Sequence, residues 1–234
     1  ATKNICSNLL LKDLRENFVQ AMALDISQAT NASKSKTITK ACLKNEEFKN
    51  CDVIVITAGI ARKPGMSRDD LISTNAGIVN SVTENILKYS KNPILIVVSN
   101  PLDVMTYAAH VVSGHPSTKV IGMAGVLDTA RYRAFLAEAL DVSPRDIQAM
   151  LLGGHGDTMV PLPRYTTVSG IPVTEMIDAA KLDAIVDRTK KGGGELVQLM
   201  GTSAWYAPGA AAAQMVAAIL KDEYGIEPAA AAVV

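Results

Sequence analysis

The sequence predicts an α/β fold built on a doubly wound parallel sheet. Two β-branched segments, at 52–59 and 92–101, are typical of strands that are buried on both faces. The segment between them, 68–91, carries apolar residues at helical spacing. A strand, a helix and a second strand in this order indicate a parallel pair, because parallel strands need a crossover connection between them. The first half of the chain is therefore predicted to be doubly wound.

The remaining elements continue this alternation and then depart from it. In order, they are a helix from Leu102, a strand at 119–123, a helix at 126–140, a strand at 147–152, and two helices at 174–199 and 208–221. A Gly-rich turn and a Pro-rich connection follow the strand at 147–152, so the second half is not a simple repeat of the first. We therefore predict a domain boundary near Arg145, with domains at 1–144 and 145–234.

Composition excludes several classes of protein. The chain has 234 residues, 48% of them apolar, and 23 Lys and Arg balance 23 Asp and Glu, so no net field favours nucleic acid or an anionic membrane. Its longest apolar stretches are far shorter than the ~20 residues of a membrane-spanning helix, and no secretory leader pattern is present, so we expect a cytoplasmic protein. The three cysteines form no C-x-x-C pair and predict neither a metal site nor a disulfide set.

Two arginines stand out at the predicted carboxyl edge of the sheet, where α/β folds bind ligands. Arg62 and Arg68 lie six residues apart in a loop that contains Pro64 and Gly65. Both could contact one anion, since arginine binds carboxylates in a planar, bidentate manner. A solvated basic loop explains the same residues equally well.

A second candidate cluster combines Asp128, Arg131 and His155. The helix that carries Asp128 and Arg131 rises ~20 Å over ~14 residues, and the strand after it can return a similar distance at ~3.3 Å per residue. His155, which lies between two glycines, then comes beside Asp128. A carboxylate next to a histidine fixes its tautomer and builds a general acid or base. The alternative for Asp128 and Arg131 is an ordinary surface ion pair.

Several common motifs are absent from the sequence. It contains no P-loop, no G-x-S-x-G elbow, no Tyr-x-x-x-Lys pair and no G-x-G-x-x-G loop. The three glycines at 192–194 follow a helical pattern, so we interpret them as a packing feature or a bend, and not as a phosphate cradle.

Six further segments form a recognisable set. They are ALDI at 23–26, TAGIARKPGMSRDDL at 57–71, VSNPLD at 98–103, GVLDTARYR at 125–133, GGHGD at 153–157 and KGGGE at 191–195. Together they resemble the lactate/malate dehydrogenase family, and within it the lactate dehydrogenase-like malate dehydrogenases of bacteria. The resemblance implies a Rossmann-like domain followed by an α+β catalytic domain. It further implies an NAD-dependent malate dehydrogenase that acts on malate and oxaloacetate and forms homodimers or homotetramers.

The resemblance also implies residue roles. His155 would accept the proton, and Asp128 would orient the histidine. Arg131 would anchor the C1 carboxylate, Arg68 would polarise the reacting C–O bond, and Arg62 would bind the second carboxylate of malate. The residues implied to hold NAD are Asp13, at the adenosine ribose, together with Asn75, Val98, Ser99 and Asn100, of which Asn100 also contacts the substrate.

Family members carry a first strand and a Gly-rich loop about twenty residues before the position of Asp13, and more sheet and a helix after Asp222. We expect these segments to be missing from both ends of this chain. Two other functions stay open from the sequence. One is a lactate or other 2-hydroxy acid dehydrogenase, and the other is a non-catalytic family member without the dinucleotide loop.

Overall fold

The computed structural model describes residues 1–61, 67–156, 158–223 and 230–231. Its first half alternates strands and helices, as predicted. The elements are β1 (Asn8–Leu11), α1 (Glu16–Ala32), β2 (Ile38–Ala41), β3 (Val53–Ile56), α2 (Arg68–Tyr89), β4 (Ile94–Val97), α3 (Leu102–Ser113), β5 (Val120–Gly122) and α4 (Gly125–Leu140).

The second half contains short strands and two long helices. They are β6 (Ile147–Gln148), β7 (Leu151–Gly153), β8 (Met159–Pro161), β9 (Thr167–Val168), β10 (Ile171–Pro172), α5 (Ala179–Met200), α6 (Tyr206–Leu220) and β11 (Ala230–Ala231). Short 3-10 turns lie at Asn45–Phe48, Ser117–Lys119, Pro163–Tyr165 and Val173–Glu175.

Parallel strands dominate the first half. β3, β4 and β5 pair in this order and in parallel, and β11 adds to the outer edge of β5 in the antiparallel direction. β1 and β2 form a second parallel pair. Since β3 and β4 run side by side in register, the residues that follow them come to the same edge, where an α/β sheet binds its ligands.

Helices cover both faces of the sheet formed by β3, β4 and β5. On one face, Leu95 and Val97 of β4 pack in a buried core with residues of α2 and α3, among them Val79 and Met105. On the other face, Ile96 packs with residues of α4 and α6. This two-sided burial explains why the strands read as continuous apolar runs, and it confirms the doubly wound prediction.

Two predicted elements differ from the structure. The single strand predicted at 147–152 is wrong, because β6 pairs with β9 while β7 pairs with β8, which places the two halves of the segment in different sheets. The helix predicted from residue 174 begins at Ala179, since the side chain of Asp178 accepts a hydrogen bond from the backbone N–H of Lys181, at 2.9 Å, and caps it there.

α4 connects the two halves of the structure. Leu127, near its start, packs in the core that covers Ile96. Leu136, nine residues further along the helix, packs in a second core with Ile147, Leu151 and other residues of the second half. The domain boundary near Arg145 stays a prediction. None of the helices within the described ranges is long and apolar enough to cross a membrane.

Candidate active site

A histidine and a buried aspartate meet where α4 faces the turn between β7 and β8. Nδ1 of His155 lies 2.8 Å from Oδ2 of Asp128. The Asp128 side chain is 2% exposed, whereas that of His155 is 22% exposed. A carboxylate in a site with little water attracts a protonated imidazole more strongly than it would in bulk solvent. The structure therefore brings together the pair that the helix and strand lengths predicted.

Arg131 completes this cluster from the same helix. Its Nη1 lies 3.1 Å from Oδ1 of Asp128, and its side chain is 14% exposed. The two oxygens of Asp128 thus contact different partners, one the imidazole and the other the guanidinium. An exposed surface ion pair, the alternative for Asp128 and Arg131, is excluded by this burial. The guanidinium still carries N–H groups that Asp128 does not use, so it can bind a further carboxylate.

The glycines at 192–194 lie inside α5, and the first two of them pack against Arg131. A Cβ atom added to Gly192 would lie 3.2 Å from Cδ of Arg131, and one added to Gly193 would lie 3.7 Å from its Nη2. Nothing lies within 4 Å of a Cβ added to Gly194. The packing interpretation is therefore supported for Gly192 and Gly193, where the missing side chains leave room for Arg131.

Asn75 of α2 holds the loops after β3 and β4 together. Its side-chain oxygen accepts from the backbone N–H of Ile60 at 2.9 Å, and its amide nitrogen donates to the carbonyls of Ile60 and Asn100 at 3.1 and 2.6 Å. The residue is buried. These bonds fix the edge of the sheet at which Asn100 is exposed. A direct contact of Asn75 with a cofactor stays a prediction.

Ser99 and Val98 extend the same edge. The Ser99 hydroxyl donates to the carbonyl of Ala58 at 2.6 Å, and the backbone N–H of Val98 donates to the carbonyl of Ile56 at 2.8 Å. Ser99 is buried and Val98 is half-buried. Their contacts continue the alignment of β3 and β4 beyond the strands, and exposed residues at this edge include Thr57 and Asn100.

Asp13 follows β1 and is held by Arg15. Its Oδ1 accepts from the backbone N–H of Arg15 at 2.8 Å and from Nε of Arg15 at 3.2 Å. These hydrogen bonds hold the pKa of Asp13 below its ordinary value. The carboxylate is therefore ionised near neutral pH, and it lies just beyond the carboxyl end of a parallel strand.

Of the two arginines predicted to lie in the loop, Arg62 and Arg68, only the backbone of Arg68 is described. Arg68 is the first residue of α2, directly after Ser67, whose side chain accepts a hydrogen bond from the backbone N–H of Asp70 at 3.0 Å. The Arg68 side chain and all of Arg62 lie outside the part of the chain that is described. Their predicted contacts with substrate stay predictions.

Two family models match the chain along most of its length. The lactate/malate dehydrogenase NAD binding domain matches residues 1–122, and the lactate/malate dehydrogenase alpha/beta C-terminal domain matches residues 125–233. The chain belongs to the lactate/malate dehydrogenase family.

Individual members of the family agree with this placement. A malate dehydrogenase of Cytophaga hutchinsonii is 64% identical over 229 residues, which are 97% of this chain and 73% of that protein. The malate dehydrogenase structure of Salinibacter ruber superposes with a TM-score of 0.93 at 52% identity and covers 99% of this chain and 73% of its own. A lactate dehydrogenase structure of Cryptosporidium parvum superposes with a TM-score of 0.92 at 36% identity and covers 98% of this chain and 74% of its own. The malate dehydrogenase prediction is thus confirmed, and the two other functions are not favoured.

NAD is the cofactor of this family, and the described residues fit it. An ionised carboxylate such as that of Asp13 accepts hydrogen bonds from two ribose hydroxyls but repels a 2′-phosphate. The exposed amide of Asn100 lies at the carboxyl edge of the sheet, where α/β folds hold dinucleotides.

Sequence reasoning gave no role to Asp103 and no partner to Gly192, and both contact site residues. Asp103 lies in the first turn of α3, and its carboxylate accepts from the backbone N–H of His155. Its position two residues after the Asn-Pro pair that follows β4 was the available signal. No local signal could have paired Gly192 with Arg131.

Proposed function

We propose that this chain interconverts (S)-malate and oxaloacetate with NAD at the cluster of His155, Asp128 and Arg131. The observation that carries the proposal is the contact between His155 and a buried Asp128 whose other oxygen contacts Arg131. This arrangement brings together an acid/base group, His155, and an arginine that can bind the carboxylate of a substrate, Arg131. The 64% identity to a malate dehydrogenase supports the choice of substrate.

In the direction of malate oxidation, His155 takes the proton of the C2 hydroxyl. The imidazole becomes positively charged as this proton arrives, and Asp128, held at 2.8 Å from Nδ1, stabilises that charge without taking the proton itself. When bound, NAD supplies the two-electron acceptor for the oxidation. In the reverse direction, His155 returns the proton to the oxygen of oxaloacetate.

The other roles position the two ligands. Arg131 binds the C1 carboxylate in bidentate fashion, Arg68 polarises the reacting C–O bond, and Arg62 binds the second carboxylate. The proposed contacts of NAD are Asp13, Asn75, Val98, Ser99 and Asn100, with Asn100 also touching the substrate.

We further propose that the full-length protein is cytoplasmic and assembles as a homodimer or homotetramer. Light scattering coupled to size exclusion measures the assembly state. A monomer at micromolar concentration would contradict the assembly proposal.

Substrate choice tests the malate assignment most directly. Malate carries a second carboxylate where lactate carries a methyl group, so a malate-preferring pocket needs a cation there. We expect Arg62→Gln to lower kcat/KM for oxaloacetate by about two orders of magnitude, a loss of ~3 kcal/mol in transition-state binding. Pyruvate, which lacks that carboxylate, should lose little.

The measurement is kcat/KM for both oxo acids, with Lys63→Gln as a matched loss of charge in the same loop. The Lys63 variant should keep the preference for oxaloacetate. An unchanged ratio of oxaloacetate to pyruvate in Arg62→Gln would show that Arg62 does not set substrate choice.

The contact between α5 and Arg131 gives a second prediction. Gly192→Ala places a methyl group 3.2 Å from Cδ of Arg131, which must then shift. We expect the KM for oxaloacetate to rise severalfold while NADH affinity is unchanged, since misplacing a binding group by tenths of an ångström weakens a bidentate contact.

Gly194→Ala is the matched control, since nothing lies within 4 Å of its added methyl group. It should keep the KM and gain up to about 1 kcal/mol of stability from helix propensity alone. The same KM in both variants would mean that the position of Arg131 does not depend on Gly192.

A further inference from the structure

A second aspartate reaches the residue that carries the proposed acid/base chemistry. Oδ2 of Asp103, in the first turn of α3, accepts a hydrogen bond from the backbone N–H of His155 at 3.3 Å. Asp128 of α4 contacts the ring of the same histidine. His155 is thus held at two points, its main chain and its Nδ1, by carboxylates from two different helices.

The main chain beside His155 has no side chain where Asp103 approaches. A Cβ atom added to Gly154 would lie 2.9 Å from Oδ2 of Asp103, closer than real Cβ contacts, and would overlap Oγ1 of Thr158 as well. The absence of a side chain at position 154 therefore permits the contact between Asp103 and the turn. This steric observation does not depend on the hydrogen bond itself.

α3 also connects the histidine to the cofactor edge of the sheet. The helix begins at Leu102, two residues after the exposed Asn100, whose carbonyl is held by Asn75. A contact from Asp103 to His155 fixes the turn between β7 and β8 relative to that edge. Proton transfer requires such alignment, because a misplacement of ~1 Å can cost about two orders of magnitude in rate.

We propose that Asp103 is a positioning residue for His155. It acts through the main chain of the histidine, so that the ring, once bonded to Asp128, meets the reacting oxygen. This inference rests on the proposed function, in which His155 transfers the proton. Asp103 is distinct from Asp128, which also stabilises charge on the ring.

The test compares Asp103→Ala with Asp103→Asn in the full-length enzyme. We expect Asp103→Ala to lower kcat for oxaloacetate reduction about tenfold, with the dissociation constant of NADH unchanged, because only the alignment of the histidine is lost. Asp103→Asn should recover most of kcat, since its amide oxygen still accepts from the His155 N–H. Full kcat in Asp103→Ala, or a loss in Asp103→Asn as large as in Asp103→Ala, would overturn the proposal.

A double-mutant cycle separates positioning from general damage to the fold. In a His155→Asn background, Asp103→Ala should lower the residual rate little, since no proton-transferring ring remains to be aligned. A further tenfold loss there would overturn the proposal. Glu16→Ala removes an exposed acidic residue from the first turn of α1. Its change in Tm shows how much of the change in Tm of Asp103→Ala comes from losing an acidic residue at a helix N-terminus.

These variants also distinguish a failure of the proposed function from a failure of the role of Asp103. If His155→Asn alone keeps turnover, the acid/base assignment fails together with the role of Asp103. If His155→Asn loses turnover and Asp103→Ala does not, only the role of Asp103 fails.

Discussion

Replacing His155 with Asn is expected to lower kcat by ~10²–10⁴-fold while NADH still binds, because proton transfer by a positioned side chain contributes an effect of this size. The Asn side chain can keep a hydrogen bond to Asp128, so the buried carboxylate is not left alone. It cannot exchange a proton near neutral pH. The loss should therefore appear in turnover and not in cofactor affinity.

Stopped-flow reduction of oxaloacetate and quenching of protein fluorescence by NADH measure the two quantities separately. His115→Asn is the matched control, since His115 follows α3 and its backbone N–H donates to Ser113, which is not among the proposed site residues. It should keep its turnover. Turnover in His155→Asn equal to that of the control would remove His155 from the mechanism.

Replacing Arg131 with Gln is expected to lower kcat/KM by about 10³-fold for oxaloacetate and pyruvate alike. Both substrates present a C1 carboxylate, and two charge-assisted hydrogen bonds at ~2 kcal/mol each give an effect of this order. The side chain is largely buried against Gly192 and Asp128, so water cannot replace the guanidinium freely. Arg131→Lys should fall between Arg131→Gln and the parent, because Lys keeps the charge but not the planar fork.

Arg133→Gln is the control on the same helix. Arg133 donates to the carbonyl of Pro144, which is not among the proposed site residues. Its variant should keep kcat/KM for both oxo acids. A loss in Arg131→Gln that is confined to oxaloacetate would assign Arg131 to the second carboxylate and would exchange its role with that of Arg62.

The fold was predictable where strands are buried on both faces and where residues in the sequence mark the end of a helix or strand. The segments of β3 and β4 are apolar along their whole length because helices cover both faces, and α2 between them was found within two residues of its end. Short strands gave no such signal. β6 and β7 are separated by two residues and pair with different partners, which no pattern in one segment can reveal.

The site was predictable to the extent that distances along rigid elements are known. The length of α4 and the return of the chain predict that His155 lies beside Asp128, and the structure shows the two residues in contact. The contacts of Asp103 with His155 and of Gly192 with Arg131 join elements that are remote in sequence. These contacts depend on tertiary packing, which cannot be predicted from residue spacing alone.

The shared contacts of Asp128 restrict how this enzyme could diverge from its relatives. One carboxylate holds both the histidine and the arginine, so a change at this position alters two contacts at once. Evolution of a new substrate range must therefore act on residues that do not touch Asp128. One candidate is position 62, to which the proposed function assigns the contact with the second carboxylate of malate. Malate and lactate dehydrogenases of similar structure are the outcome expected from that division.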